Sequence, residues 1–179
     1  MTRHGEDIDR TAEWDDWRQR YLAEPSRRKA SAARGVHHIA LLSSDVERTI
    51  DFYQNLLGFP LVELFENRDY QGSTHFFFDL GHDNYLAFFD FPGLDLGEYA
   101  EVLGGLHHLA IYVEPADWAR IVADVEAAGI ETYVVRDESA YFPGPDGERI
   151  ELLTFPLSDM YGTIVSRSTV DDPTSPDGS

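Results

Sequence analysis

Val36-His37-His38-Ile39-Ala40-Leu41-Leu42 and Leu106-His107-His108-Leu109-Ala110-Ile111-Tyr112 are two copies of one pattern, and their reading decides the fold. Each run is apolar, rich in β-formers and seven residues long, so each predicts a strand. An amphipathic segment follows each. After the first, Asp45 caps a helix running to about Leu57, with Val46, Ile50, Phe52, Tyr53 and Leu57 apolar and Gly58 as its stop. After the second, Pro115 or Asp117 opens a helix bearing Trp118, Ile121, Val122, Val125 and Ala128, and Gly129 ends it. His38 to Gly58 is 20 residues and His108 to Gly129 is 21, so the repeat holds over a whole strand-helix unit.

Three further strand-like runs follow each helix. They are 59–65, 74–80 and 85–91 in the first copy, then 131–135, 139–142 and 149–155 in the second. Gly81-His82-Asp83-Asn84 and Gly144-Pro145-Asp146-Gly147 read as turns. The predicted class is therefore α+β: two βαβββ modules, about 35–92 and 105–157, pairing into a mixed-sheet open barrel around a cleft. One helix leaves a face of a four-stranded sheet uncovered, and pairing two sheets is the way to enclose a cleft.

Outside this 35–157 domain the composition changes. Residues 1–34 hold eight basic and seven acidic residues, with a short helix predicted over Asp9–Leu22 that gathers Trp14, Trp17, Tyr21 and Leu22 on one side. Docking on the body or a partner, and a frayed tail, are both open to it. The 158–179 tail, rich in Asp, Pro, Ser and Gly toward its end, is expected to be disordered.

The formal charge is -19, from 14 basic and 33 acidic residues, and Lys29 is the sole lysine. No basic face exists beyond residue 34, which speaks against nucleic acid and against anionic membrane surfaces. No apolar run approaches a membrane span, and the polar start of the chain has no secretory h-region, so a cytoplasmic location is expected. With 42% hydrophobic residues a real core is affordable; with no cysteine, any metal must be held by His, Asp, Glu or backbone oxygen.

Adjacent side chains on a strand point to opposite faces, so only one imidazole of each His-His pair can enter the cleft. Equivalent positions in two repeats related by a pseudo-two-fold would bring two such imidazoles together. Glu151 lies in Ile150-Glu151-Leu152-Leu153, where a carboxylate is costly to bury without a partner. Two His and one carboxylate with open positions suit Fe(II), and also Mn(II), Zn(II), Ni(II) or Co(II).

The pattern resembles the vicinal oxygen chelate superfamily, which includes glyoxalase I, extradiol dioxygenases and the bleomycin and fosfomycin resistance proteins. The resemblance rests on His38-Ile39-Ala40-Leu41, Asp45 through Tyr53, Leu57-Gly58-Phe59, His108-Leu109-Ala110 and Tyr141 through Leu152. It implies His38, His108 and Glu151 as the metal ligands, with His37 and His107 facing away. Where glyoxalase I has a fourth ligand this chain has Ala87, which leaves an open three-residue site of the dioxygenase kind. Tyr141 falls where that group has a Tyr near its substrate, and His82 or His75 could stand in for its acid-base His, whose usual position is Asn84. Gly144 replaces the usual acidic residue before Pro-Asp-Gly.

Alternation lines the cleft with aromatic residues and puts no Arg or Lys on a cleft-facing strand position. The expected function is a divalent-metal enzyme, Fe(II) favoured, acting as a dioxygenase-like oxidoreductase on a small aromatic or oxygen-chelating molecule. The alternatives are a glyoxalase- or epimerase-type lyase or isomerase, and a metal-free protein that sequesters an aromatic compound. Many members of that family dimerise, so a homodimer is among the expected states.

Overall fold

The run after His37 becomes the first strand, β1 (His38–Leu42), because its alternate residues Ile39 and Leu41 can pack on a core while His38, Ala40 and Leu42 stay exposed. The computed structural model describes residues 9–155, in two units divided after Gly35. In the first unit, α1 (Thr11–Tyr21) buries none of its residues. It is braced along its surface by Arg10–Glu13, Arg18–Asp15 and Arg20–Asp16 ion pairs, with Arg10 over the Trp17 ring. The predicted 158–179 tail lies outside the described residues.

In the second unit Asp45 caps α2 (Val46–Ile50), its side chain accepting from the Arg48 amide. The helix then loosens into a π-helical run over Asp51–Leu56, with Leu57 N donating to Phe52 O. Three strands follow: β2 (Leu61–Glu66), β3 (Thr74–Asp79) and β4 (Tyr85–Phe89). The second module repeats the order with β5 (Leu109–Tyr112), α3 (Pro115–Ala127), β6 (Tyr133–Val135), β7 (Ser139–Pro143) and β8 (Arg149–Leu153).

Each module is a four-stranded mixed sheet, β1-β4-β3-β2 and β5-β8-β7-β6, with its first strand at the edge and paired in parallel with its last. The α+β class and the duplicated βαβββ order are as predicted. The two sheets, however, are separate and do not close into a barrel.

One core joins the modules. Phe52, Tyr53 and Leu57 of the first helix share it with Trp118, Ile121 and Val125 of α3 and with Phe142, Ile150 and Leu152 of the second sheet. Phe52 and Phe142 rings lie 6.4 Å apart, and Tyr53 Oη donates across the module boundary to Glu148 Oε1 at 2.7 Å. The modules of one chain thus pack through their helix-bearing sides. The opposite face of each sheet stays open, with Leu42 48% exposed on the first and Tyr112 51% exposed on the second.

Candidate functional site

The open face of the second sheet carries a built carboxylate. Ala110 pairs with Glu151, and Tyr141 with Glu151, so strand register alone brings β5, β8 and β7 together at this residue. Glu151 is 2% exposed. Its Oε1 accepts from both Ser139 Oγ and Tyr141 Oη, each at 2.6 Å. Its Oε2 lies 3.2 Å from His108 Nε2. Two fixed donors on one oxygen leave the other oxygen and an imidazole nitrogen converging on one point, which suits a cation. Burial, and then the hydrogen bond to Glu151, raise the Tyr141 pKa, so this phenol stays protonated and donates.

Of the three predicted metal ligands the structure brings two together. Among the described residues, no three His, Asp or Glu side chains are grouped closely enough to hold a metal ion. His38 sits on the first sheet, its ring 5.7 Å from Phe77 and 6.5 Å from His75. The physical reason is the packing just described. A two-fold that joins helix sides buries the helices together and leaves the histidine faces unpaired within one chain.

The expected catalytic residues separate in the same way. Tyr141 belongs to the Glu151 group. His75 belongs to the His38 face, stacked on Phe89 at 3.7 Å and beside Phe77 at 4.3 Å. Burial, with His38 nearby as a lesser cause, lowers the His75 pKa, so its imidazole is held neutral. Its Nε2 is buried with no hydrogen-bond partner. His82 lies on the exposed turn after β3 with φ 53°, its carbonyl accepting from Asn84, and no contact joins its ring to either group.

Three features escaped the sequence reading. Arg149 shares the open face of β8 with Glu151 by simple alternation, so the expectation of a cleft without strand cations is corrected. Its guanidinium is held by Glu101 of the inter-module linker at 2.7 Å. Ser139 reaches Glu151 by the same alternation, two residues before Tyr141. Glu148 is 6% exposed, accepting from Tyr53 Oη and from the Asp146 amide. It fills the space above Gly144, where a Cβ would overlap its carboxylate. Burial comes first among the causes that raise the Glu148 pKa. The signal was the missing acid at Gly144: the turn takes its carboxylate from its other end.

The His-His pairs also depart from expectation. His37 Nδ1 lies 2.8 Å from His38 Nδ1, and His107 Nδ1 lies 2.7 Å from His108 Nδ1. Strict alternation would part these rings. It does not apply, because β1 starts at His38 and β5 at Leu109, so the first member of each pair precedes the regular strand.

A cleft of about 980 Å³ lies elsewhere, between the end of β1, linker residues 90–100 and the Pro145–Glu148 turn; neither His38, His108 nor Glu151 lines it.

The family model "Glyoxalase/Bleomycin resistance protein/Dioxygenase superfamily" matches residues 35–152. YwkD, an uncharacterized protein of Bacillus subtilis, is 30% identical over 125 residues, covering 66% of this chain and 95% of its own. MhqA of Bacillus subtilis, a proposed ring-cleaving dioxygenase, is 33% identical over 61 residues, 32% of this chain but only 19% of its own. Among solved structures, the fosfomycin resistance protein FosX from Mesorhizobium loti aligns with TM-score 0.57 at 24% identity, over 73% of this chain and 99% of that one. A variant of FosX from Listeria monocytogenes, complexed with Mn(II) and a dihydroxypropylphosphonic acid, aligns with TM-score 0.54 at 21% identity, over 72% and 98%. At these identities the two FosX structures bear on the fold.

Proposed function

The chain belongs to the Glyoxalase/Bleomycin resistance protein/Dioxygenase superfamily, and from that premise we propose that it is a divalent-metal enzyme, Fe(II)-dependent and dioxygenase-like. Its substrate would be a small aromatic molecule that chelates through two oxygens. The observation that carries the reading is the His108–Glu151 pair, whose second carboxylate oxygen is already held by Ser139 and Tyr141.

His38 would complete the ligand set from a second copy of the chain. Each protomer offers half a site on each of two open sheet faces: His38 on one, His108 with Glu151 on the other. A two-fold dimer that lays the first sheet of one copy against the second sheet of the other makes two complete sites at once. The exposed apolar residues of these faces, Leu42 and Phe65 on the first and Tyr112 and Tyr133 on the second, favour that closure over solvent.

His38, His108 and Glu151 would hold a divalent metal there, which would supply Lewis acidity toward two substrate oxygens and, as Fe(II), reactivity toward O2. The protein's own groups do the rest. His75, neutral and with a buried, unpartnered Nε2, would offer a ligand on the His38 face a hydrogen bond or a place for a proton once its ring turns outward. Phe65, Phe77 and Phe89 surround it as an aromatic shelf. Tyr141 keeps its proton and orients Glu151. The absence of a fourth protein ligand at Ala87, which is fully buried, favours this chemistry over a lyase or isomerase that uses such a residue.

Two measurements test the proposal. Anaerobic reconstitution with Fe(II) should give O2 uptake on a panel of catechols, and no uptake across a broad panel would sink the dioxygenase reading. Mixing His38→Ala protein with Glu151→Gln protein should restore metal binding that neither variant shows alone. Mixtures as inactive as their parents would sink the shared site.

A further inference from the structure

The two modules differ in most of their residues yet build the same contact at the same place. In both, adjacent imidazoles meet through their Nδ1 atoms, at 2.8 Å and 2.7 Å. In both, the rings stand edge-on, with centroids 5.0 Å apart and planes at 74° and 76°. A contact between two nitrogens at this distance requires one N–H and one lone pair. Each imidazole therefore fixes the tautomer of the other.

Resting on the three-ligand reading above, we infer that His37 and His107 are positioning residues that set the tautomer and ring orientation of His38 and His108 as metal ligands. The argument is one of elimination at the ring. His108 points Nε2 at Glu151 Oε2, 3.2 Å away, and that nitrogen must lose its hydrogen to bind a cation. The hydrogen of the neutral ring is then on Nδ1, which donates to His107 Nδ1. His38 and His37 make the same arrangement in the other module. Metal-bound imidazoles ordinarily donate their second nitrogen to a carboxylate, a backbone carbonyl or water; here a histidine on the preceding residue does so, twice.

The arrangement has a consequence in the second module. When His107 Nδ1 accepts, its hydrogen sits on Nε2. That atom lies between Arg149 Nη1, at 3.5 Å, and Glu101 Oε2, at 3.9 Å. Arginine can only donate, so its contact requires His107 Nε2 to accept and leaves the His107 hydrogen on Nδ1 in the metal-free protein. A metal at His108 would reverse both tautomers and favour the Glu101 carboxylate over Arg149. Metal uptake at His108 is thereby linked to the linker carboxylate that holds Arg149. In the first module the neighbour of His37 is the Tyr85 ring, 6.3 Å away, so no such link exists there.

The test uses the full chain and Zn(II) or Co(II) as probe. His37→Phe and His107→Phe keep a ring and remove the nitrogen; His37→Asn and His107→Asn keep a polar atom near the Nδ1 position. Each Phe variant is expected to weaken metal binding, read by competition with a chromophoric chelator, by about 10- to 100-fold, with most of the loss restored by Asn. Both positions are exposed, so thermal melts should stay within a few degrees of wild type and separate lost affinity from lost folding. Phe variants that bind metal as tightly as wild type would overturn the inference. So would nitrogen-15 spectra of the Zn(II) protein showing His38 and His108 protonated at Nε2. A second arm needs no metal: scalar coupling between paired Nδ1 atoms in the free protein is expected, and its absence from both pairs also overturns the inference. Wild-type protein that takes up no metal, with the coupling present, would overturn the ligand reading and the orienting role but leave the contact.

Discussion

Glu151 accepts two hydroxyl hydrogens on Oε1, from Ser139 and Tyr141, while Oε2 faces His108 Nε2 at 3.2 Å. One oxygen is thus spent on holding the carboxylate and the other is presented. Removing either hydroxyl should loosen the presented oxygen without removing it. Ser139→Ala and Tyr141→Phe are therefore expected to weaken metal binding by about 10- to 100-fold, and Glu151→Gln to abolish it. Equal metal content in wild type and Glu151→Gln would refute the ligand assignment.

The open sheet faces should behave as an interface. Tyr112, half-exposed on the ligand-bearing face of β5, is a suitable probe. Tyr112→Glu is expected to shift light-scattering mass toward the monomer and to lower metal content together with it. Two copies of a chain carrying -19 repel each other, so added salt should strengthen the wild-type dimer. A wild-type monomer at all salt concentrations with full metal content would contradict the shared site.

Gly144 has no room for a side chain, because Glu148 lies where its Cβ would be. Gly144→Ala is expected to cost about 1–3 kcal/mol in denaturant unfolding, the usual range for overpacking. Much of that cost should vanish when the substitution is made in a Glu148→Ala background, since the overlap is then gone. Additive losses would point to a backbone effect instead.

Glu148 also predicts a pH dependence. Its folded-state pKa is raised, by burial first and with Asp146 as a smaller contributor, while the Tyr53 hydroxyl pulls the other way. A raised acid pKa means the folded state holds its proton more tightly than the unfolded chain does. The stabilisation is complete below the ordinary carboxylate value and is lost as pH rises through the folded-state pKa. Wild type should therefore lose stability relative to Glu148→Gln as pH rises from the ordinary carboxylate range through the raised folded-state pKa. A difference independent of pH would show that the carboxyl group titrates alike in both states.

The repeat was legible because a strand-helix unit leaves a periodic signature wherever it occurs. Two His-His runs, two glycine stops and a spacing matched within one residue were enough for the βαβββ order. Alternation along β8 and β7 was equally local, and it places Arg149, Glu151, Ser139 and Tyr141 on one face. Tertiary structure decided which sides of the modules meet. Phe52 against Phe142 and Tyr53 against Glu148 join the helix sides, and no period in the sequence distinguishes that pairing from sheet against sheet. For the same reason the sequence could name His38, His108 and Glu151 but not whether one chain assembles all three. Covalent neighbours dictate which face a side chain takes; which face is covered depends on contacts between residues far apart in the chain.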